Sequence, residues 1–136
     1  MRLRLQATLA LAGLLALAAP LTAVHAAGLA DLAPTSITAL VKPARAAGTC
    51  EARISAAVTN SGTADVASYA IQFTVDDKTF TVQVPRGTGV GRTTTKSVAV
   101  PVTLGSHTVT VTADPANAVP ESDETNNSLS STITCR

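Results

Sequence analysis

The chain has 136 residues, of which 46% are hydrophobic, 14% charged and 2% aromatic, and it contains two cysteines. That length holds one domain, and two cysteines cannot build a disulfide-dense miniature scaffold or a four-cysteine zinc site. Ten basic residues against nine acidic ones exclude a strongly basic nucleic-acid binder.

Arg2 and Arg4 open the chain, and no further charge occurs before Asp31. An Ala/Leu run from Leu9 to Ala19 follows, then Pro20 and Val24-His25-Ala26. A basic start, an apolar stretch and a small-x-small end define a secretory signal peptide, cleaved after Ala26, with Ala27 as the second choice. A transmembrane anchor is the competing reading. The uncharged stretch is long enough to span, but its alanine content, Pro20 and the cleavable end weigh against it. No cysteine follows the apolar run, so no lipid anchor is indicated. The expected division is residues 1–26 as signal peptide and 27–136 as one exported domain, periplasmic or extracellular, without membrane insertion after cleavage. Cleavage leaves eight basic and nine acidic residues, with His107 as the only histidine. Export implies an oxidising compartment, where a cysteine pair is expected to form a bridge.

Beyond the signal, apolar and polar residues alternate with the period of two that marks half-buried strands. Ile37 to Val41 reads as a weak first strand at a sheet edge. Cys50, Ala52, Ile54, Ala56 and Val58 form the inward face of the second, and Asn60-Ser61-Gly62 turns the chain. Tyr69, Ile71, Phe73 and Val75 share a face of the third strand. Asp76-Asp77 turns it into a fourth with Phe80, Val82 and Val84. A glycine-rich connection, Pro85 to Arg92, is expected to be flexible. The fifth strand carries Val98, Val100, Val102 and Leu104, and the sixth carries His107, Val109, Val111 and Ala113. The seventh carries Leu129, Ile133 and Cys135 after a long acidic loop. Seven short strands with polar turns and no amphipathic helix predict an all-β, seven-stranded Ig-like or fibronectin-III-like antiparallel sandwich. The outward threonines suit β-propensity and solubility first, although repeated Thr-x-Thr steps also suit sugar- or ice-facing surfaces.

Cys50 shares a face with Ile54 and Val58, and Cys135 with Ile133 and Leu129, so both point inward. In a sandwich whose strands alternate direction, the second strand begins at the pole where the seventh ends. The expectation is a Cys50–Cys135 bridge clamping the two sheets, with two free thiols as the alternative. Closing so long a loop is worth roughly 4–5 kcal/mol in the chain-entropy model. The absence of tryptophan and the terminal position of the second cysteine separate this chain from an antibody-type domain.

The stretch D-P-A-N-A-V-P-E-S-D-E-T-N-N, Asp114 to Asn127, follows an alternating strand, L-G-S-H-T-V-T-V-T-A. It resembles the bacterial cell-adhesion-related domain, CARDB, whose pattern is matched by Asp114, Pro115, Asn117, Val119, Glu121, Glu124, Asn126 and Asn127. Asp31-Leu32 and V-T-N-S-G, Val58 to Gly62, agree with it, so the resemblance spans Leu29 to Cys135. The cysteine pair is not part of the family's pattern. The resemblance implies an Ig-like sandwich with an adhesion or binding role.

Two readings of the acidic loop stand side by side. Asp114, Asn117, Glu121, Asp123 and Asn126 supply the oxygen donors a Ca²⁺ ion takes, though not in EF-hand spacing. The other reading is loop architecture, in which Asp and Asn stabilise turns and Glu121 caps exposed amides. On the second reading no metal or other cofactor is expected. Gly87, Gly89 and Gly91 lead into a threonine run and a strand, not the Lys-Ser/Thr and helix of a phosphate-binding loop. His107, beginning a strand after a turn, reads as a rim residue, and no nucleophile elbow or zinc-protease motif accompanies it. No catalytic residues are expected, so the chain is read as non-catalytic. The leading expectation is a small exported binding or adhesion module with a protein or cell-surface partner. An edge strand near Ile37 to Val41 is the favoured surface, and nucleic acid is not a partner. The alternatives are a structural or stress-resistant periplasmic protein and a Ca²⁺-dependent recognition domain. Tyr69, Phe73 and Phe80 are the only aromatics, and their inward parity counts against a glycan platform.

Overall fold

The computed structural model describes residues 27–136, so the expected signal peptide, residues 1–26, lies outside the described residues. Seven strands follow in order: β1 (Leu32–Pro43), β2 (Thr49–Asn60), β3 (Tyr69–Val75), β4 (Lys78–Val84), β5 (Thr93–Thr103), β6 (Gly105–Ala113) and β7 (Ser128–Cys135). They form a three-stranded sheet, β1-β2-β5, and a four-stranded sheet, β4-β3-β6-β7. Every neighbouring pair is antiparallel. No helix occurs among the described residues. The Ig-like sandwich expected from the alternation is therefore the architecture observed.

The core is made by inward residues of both sheets. Ile54, Val58, Ile71, Phe73, Val109 and Val111 are completely buried. Most core side chains are aliphatic or alanine, and the only rings fully committed to the core are Tyr69 and Phe73. Phe80, also expected inside, is only half-buried because β4 is an edge strand with no neighbour to cover it. Leu104 is exposed, since β5 ends at Thr103 and the chain there turns into β6. Cys50 and Cys135 are bonded to each other across 85 residues of sequence, joining β2 of one sheet to β7 of the other.

β1 is longer than the five residues read from its alternation, at 12 residues with a register shift between Pro34 and Ser36. Its two prolines explain both the weak sequence signal and its persistence. The Asn60 N–H donates to the Arg92 carbonyl, on the β5 side of β2. Alternation then turns the backbone of every even-numbered β2 residue toward β5 and of every odd-numbered one toward β1. Pro34 pairs with Val58 and Pro43 with Cys50, both even, so each proline occupies a position whose N–H would face away from β2. Neither removes a ladder bond, which is the condition for proline in an edge strand.

The outward side chains of the four-stranded sheet are serine, threonine, glutamine and one alanine, and none is charged. Cross-strand hydroxyls satisfy one another, as in Thr110–Ser130 and Thr112–Ser128, each at 2.9 Å. The smaller sheet does the same with Ser55–Ser97 at 2.7 Å and Thr59–Thr93 at 2.8 Å. These pairs are the sheet's local stabilising units, and they engage hydroxyls that a ligand would otherwise use.

Candidate functional site

The pole opposite the disulfide gathers the loops β2–β3, β4–β5 and β6–β7 and the start of the described chain. Its organising residue is Asn60, read from the sequence only as part of a turn and here completely buried. Its Oδ1 accepts from the N–H groups of Asp31 and Gly62, each at 3.1 Å. Its Nδ2 donates to the carbonyls of Ala64 at 2.8 Å and Thr88 at 3.0 Å. All four hydrogen-bonding sites of the amide are engaged, so three separate segments are tied through one side chain. The only sequence cue was its place in V-T-N-S-G.

The glycine-rich connection is part of this tie and not a free loop. Thr88 is buried and pairs as an isolated bridge with Val66. Its hydroxyl meets the Tyr69 hydroxyl at 2.9 Å and the Thr94 hydroxyl at 2.7 Å. Burial pushes the Tyr69 phenol above its ordinary pKa. Gly87 has φ 58°, and a Cβ there would sit 1.6 Å from the Val66 carbonyl oxygen, so glycine alone fits this close approach. The Val90 N–H donates to Asp65 Oδ1 at 2.7 Å.

The acidic loop straps the larger sheet to the beginning of β1. Asp114 takes a left-handed backbone conformation, φ 43°, and its Oδ2 accepts from the Val119 N–H at 2.7 Å. Asn117 is also left-handed, φ 49°, and its N–H donates to the Asp114 carbonyl at 2.9 Å. Pro115 lies in the turn they enclose. Glu121 forms a parallel bridge position with Ala30, and Ser122 donates to the Ala30 carbonyl from its N–H at 2.8 Å and its hydroxyl at 3.2 Å. The Glu121 carboxylate is buried and accepts the Leu32 N–H, a group on the free edge of β1, and the Asn127 amide at 3.2 Å. Burial pushes its pKa above the usual carboxylate range, against the lowering effect of the Leu32 N–H. Glu124 accepts the Glu121 N–H at 3.0 Å and the Asn127 amide at 3.2 Å. Asn126 donates to Asp31 Oδ1 at 2.7 Å. Asp123 accepts from the Thr125 hydroxyl at 2.6 Å and its N–H at 2.8 Å, and those bonds hold its carboxyl below the usual range.

The five residues weighed as Ca²⁺ donors are thus distributed among separate turns and bonds. Among the described residues no group of three or more His, Cys, Asp or Glu is arranged to hold a metal ion. The buried Oδ1 atoms of Asn126 and Asn127 have no hydrogen-bond partner, yet the carboxylates around them already serve backbone and amide donors. The donor set as placed does not fit a cation site of 6–8 oxygens.

His107 departs from the expected rim position. It is buried, with Nδ1 2.7 Å from Asp76 Oδ2 and Nε2 2.8 Å from the Thr103 carbonyl. Two acceptors on one ring favour the doubly protonated form, and its pKa is raised, chiefly by Asp76. The same bond, with the Thr108 N–H, holds Asp76 low. The ring links the end of β5 to the β3–β4 turn at the disulfide pole, so both nitrogens are occupied by structure. A cleft of about 250 Å³ nearby is floored by Phe80, Val100 and Val102.

The sheets leave four edge strands, β1 and β5 in the smaller and β4 and β7 in the larger, and the longest of them is β1. By the alternation described above, Ala33, Ser36, Thr38, Leu40 and Lys42 bond to β2, and Ile37, Ala39 and Val41 direct their N–H and C=O groups outward. Their side chains have inward parity, yet Ala39 is exposed and Ile37 and Val41 are only half-buried. Beside them runs an open groove of about 310 Å³ whose far wall is Ser131 to Thr134 of β7. The β5 edge, by contrast, carries Pro101 at an outward position and a half-buried Lys96 on its inward face. Both features blunt edge pairing.

An antiparallel Ig-like sandwich whose last loop is bonded to the start of its first strand defines a class of small β-sandwich modules. Within that class the chain belongs to the CARDB family, whose model matches residues 29–131. The CARDB domain of a Pyrococcus furiosus protein, crystallised in complex with di-metal ions, superposes with TM-score 0.59 at 21% identity, covering 78% of this chain and 93% of that one. A domain of a Methanosarcina acetivorans protein assigned to the cell surface, solved by solution NMR, gives TM-score 0.56 at 29% identity, covering 78% of this chain and 91% of that one. Comparison with curated proteins finds no match.

Proposed function

We propose that the chain is an exported, non-catalytic binding module that recognises an extended protein segment at the free edge of β1. The observation that carries this reading is the unpaired backbone of Ile37, Ala39 and Val41 beside an open groove. Backbone groups in this arrangement are satisfied by an added strand, with affinity from main-chain bonds and selectivity from alternate side chains. The motif loop supports the reading indirectly. Most of its polar groups are consumed in bonds within the loop or to residues 30–32 around the start of β1, which leaves the edge, not the loop, as the recognition element. The uncharged outer face of the four-stranded sheet, and the mixed Lys42, Glu51 and Arg53 on the smaller one, argue against nucleic acid or an anionic surface as partner. Membership of the CARDB family and the cell-surface assignment of one structural neighbour support export and adhesion.

The test is capture from a cell-envelope extract on the immobilised chain, with and without Ca²⁺, using wild type and Ala39→Pro. Binding that is Ca²⁺-independent and lost in the proline variant is the expected result. A wild-type chain that retains neither an envelope protein nor a second copy of itself would leave a purely structural periplasmic role.

A further inference from the structure

We propose that the free edge of β1 pairs with β1 of a second copy, antiparallel, about a two-fold axis at Ala39. This rests on the reading of that edge as the binding surface and names its occupant.

The argument is self-complementarity. In an antiparallel pair, hydrogen-bonded positions recur at every second residue. Centring the axis on Ala39 places Ala39 opposite itself and Ile37 opposite Val41 of the other copy. The three residues whose backbones point outward thus all fall at hydrogen-bonded positions, and the pairing uses every free N–H and C=O between the prolines. A register slip of one residue sets these outward groups against inward-bonded ones, whereas a slip of two keeps the phase but places Ile37 opposite Pro43 or Val41 opposite Thr35 at the bulge, so only the axis at Ala39 pairs all three residues with one another. Pro43 and the bulge at Pro34 and Ser36 end the ladder on both sides, so the register is bounded.

Side chains agree with this register. No charged residue occurs between Asp31 and Lys42. Lys42 falls opposite Ser36 of the other copy, and the two lysines lie at opposite ends of the paired segment. On the outer face Leu40, 55% exposed in the single chain, falls opposite Thr38. Ile37, Ala39 and Val41 of each copy line one side of the groove beside β7. The product is a continuous six-stranded sheet, β5-β2-β1 joined to the same strands of the second copy. This is an isologous contact of the kind that closes without propagating.

The experiment is sedimentation equilibrium of the exported chain as wild type, Ala39→Pro, Ala39→Lys and Ala39→Glu, with a thermal melt of each to verify folding. The wild type is expected to be dimeric. Ala39→Pro is expected to be monomeric with its melt retained, because the N–H it removes has no partner within one chain. Ala39→Lys and Ala39→Glu place like charges directly across the axis, so each alone is expected to be monomeric. Mixed, they are expected to regain the dimer, which a structural role for Ala39 would not produce. A wild type that stays monomeric up to its solubility limit overturns the proposal, as does an Ala39→Lys variant that remains dimeric. If that monomeric wild type still captures an envelope protein through an Ala39→Pro-sensitive contact, self-pairing falls and the binding reading stands. Capture indifferent to the proline overturns both.

Discussion

Replacing Glu121 with alanine removes the acceptor of the Leu32 N–H, and Leu32 is 0% exposed. An orphaned buried donor costs about 1–3 kcal/mol. Asn127 also loses one of its two carboxylate partners but keeps Glu124. The combined loss is about 2–3 kcal/mol, one to two hydrogen bonds at the upper end of their range. At about 2.1 cal/mol/K of unfolding entropy per residue, a domain of this size loses about 4 °C of Tm per kcal/mol, so the melt should fall by roughly 10 °C. Glu121→Gln should behave differently. It keeps an oxygen for Leu32 and loses only the bond from the Asn127 amide, which stays with Glu124. The expected change at neutral pH is within about 1 kcal/mol. The pH dependence has a definite sign. Burial raises the Glu121 pKa in the folded state. Its contribution is therefore fully present below the unfolded carboxylate value and is lost as pH rises through the folded value. Wild type should gain stability relative to Glu121→Gln as pH falls through that window. Circular-dichroism melts of the three proteins across this range are the assay. An alanine variant melting within about 2 °C of wild type at pH 7 would refute the capping role.

The remaining predictions concern the other ties of the fold. Reducing the Cys50–Cys135 bond, or replacing both cysteines with alanine, should remove about 4–5 kcal/mol in the chain-entropy model, read as a lower urea midpoint; an unchanged midpoint would show that the bridge adds nothing. The raised His107 pKa contributes stability that is present below the unfolded histidine value and lost as pH rises through the folded value. His107→Gln should flatten the melting profile there, and a parallel profile would discount the Asp76 pair. Gly87→Ala meets the Val66 carbonyl in a left-handed conformation and should destabilise by about 3 kcal/mol or more. A wild-type melt for this variant would show that the close approach relaxes freely. Millimolar Ca²⁺ and a chelator should give the same Tm, because the loop carboxylates are engaged elsewhere; a clear rise with Ca²⁺ would show that they regroup around the ion.

Much of the fold was legible because burial and strand geometry share one period. Cys50 and Cys135 could be paired from the chain alone, since both parity and pole follow from counting residues along alternating strands. The motif Asp114 to Asn127 was legible as a unit, and capping of backbone amides by Glu121 follows from its residue type. The N–H it would reach, at Leu32, lies 89 residues away. Such a distant partner has no local signature.

Other features were out of reach for the same reason. Asn60 looks like any turn asparagine, and only the convergence of Asp31, Gly62, Ala64 and Thr88 on its amide makes it a buried hub. His107 looked like a rim residue because its acceptors come from a turn 31 positions away and from the end of the preceding strand. The extent of β1 was underestimated because proline weakens a local strand signal, whereas pairing register decides whether proline removes a bond. Alternation along the chain therefore determined the sandwich, its core and its disulfide, because those depend on which side of a strand a residue faces. Only the tertiary structure decided which backbone groups remain unpaired, and hence where another strand can add, because that depends on which neighbour each strand has.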